Sequence, residues 1–338
     1  MRRKPQALCC FTYLAAPITV NILMSFSAHS SPYLVFSEEV RAALADQVPL
    51  VALESTIIAH GFPYPDNLDV AFAIEEQVRA AGAVPATIAV LNSKIKIGLS
   101  HEDLSFLAQA PNIEKASRRD LPVYLSTGTH AATTVAATMI CAALADIRVF
   151  ATVGIGGVHR GAPQSFDVSA DLEVLGHTSV AVISAGAKSI LDIQLTLEYL
   201  ETRGVPVIGY QTNEFPAFYT RSSGYETPFR LDSPEAIARM LRTKWDLGLQ
   251  GGVLIANPIP ESYAMNPKVM EIAIDQALRE AARRHIGGKA LTPFLLEHIH
   301  RHTNGNSVQA NRELACNNAY LAGQVAVALA REMAATQR

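Results

Sequence analysis

Short apolar, β-branched runs alternate with helical patterns along most of the chain. The runs are "VPLVAL" (48–53), "VPATIAVL" (84–91), "IRVFATVGI" (147–155), "VAVIS" (180–184), "VPVIGY" (205–210) and "GGVLIAN" (251–257). Near-continuous apolar character, without in-out alternation, marks strands covered on both faces of a parallel sheet. Apolar residues recur at helical spacing over 66–81, 132–145, 190–203, 234–247, 267–284 and 308–335. This order predicts an α/β fold: a largely parallel central sheet flanked by helices on both faces, in a single domain. No repeat or low-complexity linker interrupts it.

Ligands of such sheets sit at the carboxyl ends of the strands, and there the apolar pattern is broken by unusual residues. Strand 48–53 runs into "LESTIIAHGFPYPDN", which puts Glu54 directly after a buried run. A carboxylate in that place serves as a helix N-cap, a paired core charge or an acid-base group. Strand 147–155 runs into "GIGGVHRGAPQSFDVSADL", where glycines permit tight turns and His159, Arg160, Asp167, Ser169 and Asp171 crowd one segment. That composition suits a hydrated metal and an anion. Strand 180–184 leads to Lys188, set among Ala185, Gly186 and Ala187. It reads either as a surface charge or as a desolvated amine kept for chemistry, because burial disfavours the ammonium form. Neither GxGxxG nor a Walker A pattern is present, so a nucleotide-cofactor reading fails.

Composition narrows the classes. The 338 residues are 49% hydrophobic and 17% charged, enough apolar material for a large core, and the net charge of −3 gives no basic field for nucleic acid. Cys9, Cys10, Cys141 and Cys316 lack CxxC or metal-ligand spacing, which fits free thiols in a reducing compartment, the cytoplasm. No uninterrupted apolar stretch is long enough for a membrane span. Residues 1–30 stand apart as an N-terminal extension. Arg2, Arg3 and Lys4 precede a broken apolar stretch to Phe26, which reads either as a targeting segment or as an upstream start ahead of Met24.

Twelve motifs in order, among them "VALESTIIAHGFPYP", "KIKIGL", "SRRDLP", "GIGGVHRG", "FDVSADL", "AGAKSILDI", "TLEYLETRGVPVIGYQT", "EFPAFYTR", "GGVLIANPIP" and "TPFLLEHI", resemble the pseudouridine-5′-phosphate glycosidase family over residues 36–338. Some members carry an added sugar-kinase domain; this chain resembles the stand-alone glycosidase. The resemblance implies cleavage of the C1′–C5 bond of pseudouridine 5′-phosphate, with Lys188 attacking C1′, the ribose opening, and a Schiff base acting as electron sink beside the bond to be broken. It implies Glu54 as proton donor, Asp167 as ligand of Mn²⁺, and Ser169, Ala170 and Asp171 as a substrate-contacting triplet. Lys115 matches a lysine facing phosphate or ribose, and Val135 a substrate contact through its backbone. It also implies a homotrimer with no nucleic-acid or membrane partner.

Other polar positions keep two readings at this stage. Asn311 is a uracil reader, since an amide pairs with both a carbonyl and an imide N–H, or an exposed helix residue. Thr152 bonds phosphate or sits in its strand; His159 holds a metal-bound water or braces its loop; Arg118 and Arg119 bind phosphate or form surface ion pairs. Phe215, Phe218 and Tyr219 read as packing residues.

Overall fold

The computed structural model describes residues 31–286, 291–303 and 306–335. The extension 1–30, with both readings of it and with Cys9 and Cys10, lies outside the described residues. The strands are β1 (Leu34–Phe36), β2 (Leu50–Leu53), β3 (Val84–Leu91), β4 (Lys94–Ile97), β5 (Glu114–Ala116), β6 (Ala131–Thr133), β7 (Val149–Ala151), β8 (Val158–His159), β9 (Ala181–Ser184), β10 (Leu191–Asp192), β11 (Val207–Tyr210), β12 (Phe229–Leu231) and β13 (Val253–Ala256). The helices are α1 (Glu38–Ala45), α2 (Thr56–His60), α3 (Asp66–Ala80), α4 (His101–Gln109), α5 (Leu121–Thr127), α6 (Val135–Leu144), α7 (Ala162–Ser165), α8 (Ala170–His177), α9 (Ile193–Thr202), α10 (Pro234–Asp246), α11 (Pro267–Arg283), α12 (Leu291–His302) and α13 (Asn306–Ala335).

One sheet organises these elements, in the order β1-β4-β3-β2-β7-β9-β13-β11-β12. From β3 to β12 every pairing in that order is parallel, and the strands β2, β7, β9 and β13 are buried along their whole length, which is why they read as unbroken apolar runs. The long β3 does two jobs. Its first half pairs with β2, and its second half pairs antiparallel with β4 and β6. Helices α3, α10 and α13 pack together as one layer, and α6, α8 and α9 as another. The expected three-layer α/β architecture is therefore observed.

Two expected element boundaries move for identifiable reasons. The helix expected over 132–145 begins only at Val135, because Ala131–Thr133 form β6 and the Thr134 side chain caps the helix by accepting from Ala137 N. A run of Ala and Thr reads alike in either state. The helix expected over 190–203 begins at Ile193, where Asp192 accepts from Leu195 N at 3.0 Å as its N-cap.

Register fixes what stands at the carboxyl edge. Leu53 lies opposite Ala151, and Ala151 opposite Ile183, so β2, β7 and β9 end level with one another. Glu54, Thr152 and Ser184 are the next residues on three adjacent strands.

Candidate active site

The strand ends open onto a pocket of about 270 Å³. Its wall includes Glu54, Lys115, Val135, Ser169, Asp171, Lys188 and Asn311, residues drawn from positions more than 250 apart in the chain, together with His159.

Glu54 is buried at the end of β2. The chain turns there because the fully buried Ser55 bridges to the next strands: its hydroxyl donates to Ile88 O at 2.6 Å and accepts from Thr133 N at 2.9 Å. Each carboxylate oxygen of Glu54 takes one hydroxyl. Thr56 donates to Oε2 and Thr152 to Oε1. Thr152 does not line this pocket: its N donates to Ile183 O at 3.0 Å, which continues the strand ladder, and its hydroxyl orients Glu54. Behind it, Asn318 of α13 donates to Thr152 O at 2.8 Å and accepts from Asn257 Nδ2 at 3.0 Å.

Lys188 follows β9 in a segment that continues to pair with the neighbouring loop. Ala185 N donates to Val153 O, Ile155 N to Gly186 O and Lys188 N to Ile155 O, each at 3.0 Å. Gly186 makes this path passable: its φ is +84°, and a Cβ would come within 2.5 Å of Pro216 O. Ala185 and Ala187 are fully buried, whereas Lys188 itself is half-buried at the pocket wall. Lys188 thus lies between the two readings, neither a surface charge nor a fully buried amine. Its backbone is enclosed and its side chain reaches the cavity.

The glycine-rich segment is shaped by an anion of the protein's own. Asp171, buried, accepts from Ala136 N at 2.9 Å through Oδ1 and from Gly156 N at 2.8 Å through Oδ2. It thereby ties the start of α6 to the loop after β7, and Ser169 caps α8 by accepting from Asp171 N. A Cβ on Gly156 would meet Asp171 Oδ2 at 2.7 Å, so only glycine lets this carboxylate approach. Ser169 and Asp171 face the pocket, while Ala170 is exposed and does not line it. Asp167 also stands outside the lining, with its side chain 41% exposed and Oδ2 4.0 Å from His159 Nδ1. No group of three His, Cys, Asp or Glu among the described residues could hold a metal ion.

Lys115 on β5 lines the pocket beside His60, Ser117 and Thr134. His60 stands solvent-accessible at the rim, yet partial burial of its ring, and then the positive charge of Lys115, lower its pKa from the usual value. Arg118 and Arg119 are exposed, do not line the pocket, and Arg119 pairs with Asp120 at 3.6 Å. Phe215, Phe218 and Tyr219 are buried, as expected of packing residues, but Phe218 is also part of the wall. The sequence reading did not single out His60, Thr56, Ser117 and Thr134. "IIAHGFP" held the one hint for His60, a histidine shortly after a buried strand.

Known proteins similar to this chain in sequence and shape point to one family. The family model "Indigoidine synthase A like protein" matches residues 39–328. A pseudouridine-5′-phosphate glycosidase of Caldanaerobacter subterraneus subsp. tengcongensis is 60% identical over 297 residues, 88% of this chain and 97% of the relative. Pseudouridine-5′-phosphate glycosidase 2 of Photorhabdus laumondii is 57% identical over 304 residues, 90% of this chain and 97% of the relative. Among solved structures, the prealnumycin C-glycosynthase AlnA in complex with ribulose 5-phosphate superposes with a TM-score of 0.84 at 39% identity, covering 90% of this chain and 99% of that one. An indigoidine synthase A-like protein of Thermotoga maritima gives 0.80 at 34% identity, over 88% of this chain and 97% of that one. The chain belongs to the indigoidine synthase A-like family and, within it, to the pseudouridine-5′-phosphate glycosidases.

Proposed function

We propose that the chain cleaves the carbon–carbon glycosidic bond of pseudouridine 5′-phosphate, reversibly, to uracil and ribose 5-phosphate. The observation that carries this reading is that Glu54 and Lys188 share one pocket at the carboxyl edge of the sheet, in a chain 60% identical to a glycosidase of that name. AlnA, with 39% identity and a bound pentulose phosphate, supports a pentose phosphate as the sugar and C–C bond formation as the reverse direction.

The bond to be broken is carbon–carbon, so there is no leaving oxygen to protonate as in ordinary glycosidases. In the proposed route Lys188 Nζ adds to C1′ while the C1′–O4′ bond breaks and O4′ takes a proton, which opens the ribose. C5 of uracil then takes a proton and the C1′–C5 bond breaks, its electron pair returning to the uracil ring while the nitrogen lone pair forms the C1′=N iminium. The ring is the electron sink, and the Schiff base is the product of cleavage rather than the sink the resemblance implies. Water adds to the iminium, and loss of the amine frees ribose 5-phosphate and restores Lys188. Glu54, its two oxygens oriented by Thr56 and Thr152, serves as the proton carrier of these steps. Lys115 faces the phosphate, Val135, Ser169 and Asp171 bound the sugar, and Asn311 reads the base.

Manganese is the ion the family resemblance implies. A single half-exposed carboxylate, with His159 beside it, fits only a hydrated hard ion that takes its other oxygens from water and substrate. Asp167 would hold it, and its charge would offset that of the substrate phosphate.

The reading is tested by incubating purified protein with pseudouridine 5′-phosphate and manganese and following uracil by chromatography. Borohydride added during turnover should trap a reduced sugar-phosphate adduct on a peptide containing Lys188. Lys188→Ala and Lys188→Arg should both lose trapping and turnover, since a guanidinium stays protonated and forms no imine. Uracil release at the normal rate by Lys188→Ala would overturn the mechanism. A sugar-phosphate aldolase, which also uses a Schiff-base lysine, would release no uracil.

A further inference from the structure

Asn311 lines the pocket with one end of its amide already engaged and the other end idle. Its Nδ2 donates to the Tyr219 hydroxyl at 3.0 Å, while Oδ1 is buried and has no hydrogen-bond partner among the described residues. A buried acceptor without a donor is costly, and native proteins rarely tolerate one that nothing ever fills.

Tyr219 is held too firmly to adapt. It is 1% exposed, its ring meets Phe218 edge-on at 4.7 Å and 89°, and its carbonyl accepts from Met265 N at 2.8 Å. Burial pushes its phenol pKa up, so it stays a protonated, neutral hydroxyl throughout the physiological range. The segment that carries it is itself locked onto the Lys188 loop: Phe218 N donates to Ala185 O at 3.2 Å, and Phe218 sits where a Cβ on Gly154 would be.

We infer that Tyr219 is a positioning residue that anchors the Asn311 amide in the wall through Nδ2, which leaves Oδ1 for a ring N–H of the base. The second hydrogen of Nδ2 then lies beside Oδ1 for the neighbouring carbonyl, and the amide matches an N–H next to a C=O, the edge that uracil carries. The inference rests on the proposed uracil-releasing activity and adds a specificity determinant 92 residues away in sequence from the side chain it orients.

Kinetics of Tyr219→Phe, Asn311→Ala and the double variant test this. Tyr219→Phe should raise KM for pseudouridine 5′-phosphate about tenfold, the worth of one oriented hydrogen bond, with kcat within about twofold. Inhibition by uracil should weaken about as much, and inhibition by ribose 5-phosphate should not change. Tyr219→Phe added to Asn311→Ala should have no further effect, because the tyrosine acts only through the amide. An unchanged KM in Tyr219→Phe, additive losses in the double variant, or a parallel loss of ribose 5-phosphate inhibition would each overturn the inference. Wild-type protein that releases no uracil would instead sink the activity on which it rests.

Discussion

Two threonine hydroxyls on one carboxylate set the character of Glu54. Because Thr56 and Thr152 take one oxygen each, the carboxylate has a single orientation in the pocket, and its hydrogen bonds are to neutral groups. Thr152→Val keeps the shape and removes one hydroxyl. If the proton carrier depends on that orientation, kcat should fall about 10- to 100-fold while inhibition by ribose 5-phosphate stays the same; an unchanged kcat would reduce Thr152 to a packing residue. His60 offers a titration of the phosphate end of the pocket. Its pKa is lowered first by burial and then by Lys115, so the free protein favours its neutral form at the pH where an ordinary histidine is half charged. A phosphate dianion beside Lys115 offsets that charge and should raise the His60 pKa, so binding takes up a proton near and below pH 6.5. For stability the sign runs the same way. The unfolded chain binds the proton more readily, so this group favours the folded state above its unfolded pKa and ceases to do so as pH falls. An NMR titration in which ribose 5-phosphate leaves the His60 pKa unmoved would place the phosphate elsewhere.

Between strand and helix, the short segments after β2, β7 and β9 do most of the functional work, and their backbone is the constraint. Gly186 combines a positive φ with a Cβ position occupied by Pro216 O, so Gly186→Ala should destabilise the fold by about 1–3 kcal/mol and displace the Lys188 segment as well. A thermal melt and an activity assay should move together; loss of neither would mean that the loop relaxes without cost. This level also separates what the sequence makes legible from what it hides. Glu54 and Lys188 stand out because a charge at the end of a fully buried apolar run violates the local pattern. β1, β5, β8 and β10 are too short to carry a period of their own, and β6 is written in Ala and Thr, which serve helix and strand alike. Tyr219 reads as a packing residue, and Thr152 as a phosphate contact or a strand residue, since their partners, Asn311 and Glu54, lie 92 and 98 residues away. The pairing of β2 with β7 brings Glu54 to Thr152, and α13 brings Asn311 to Tyr219.

The whole molecule joins the pocket to its outer surface through α11. Arg160, directly after His159 on the pocket wall, pairs with Asp275 at 3.4 Å, and Asp275 lies one helical step from Ile272. Ile272 is 58% exposed and Val269, three residues before it, 50% exposed, which places two large apolar side chains on one face of this helix. Homotrimerisation, the assembly the family resemblance implies, would cover such a face. Light scattering at micromolar concentration should then give one species near three times 36.4 kDa. Ile272→Glu puts a charge into that contact and should shift the mass toward the monomer, because an unpaired buried carboxylate is expensive. Since Asp275 shares the helix and holds the loop of His159, dissociation should also lower turnover, and activity of the variant should recover as protein concentration rises. A monomeric wild type would refute the assembly. A trimer indifferent to Ile272→Glu would move the contact to another face, and a fully active monomeric variant would show that the pocket is complete within one chain.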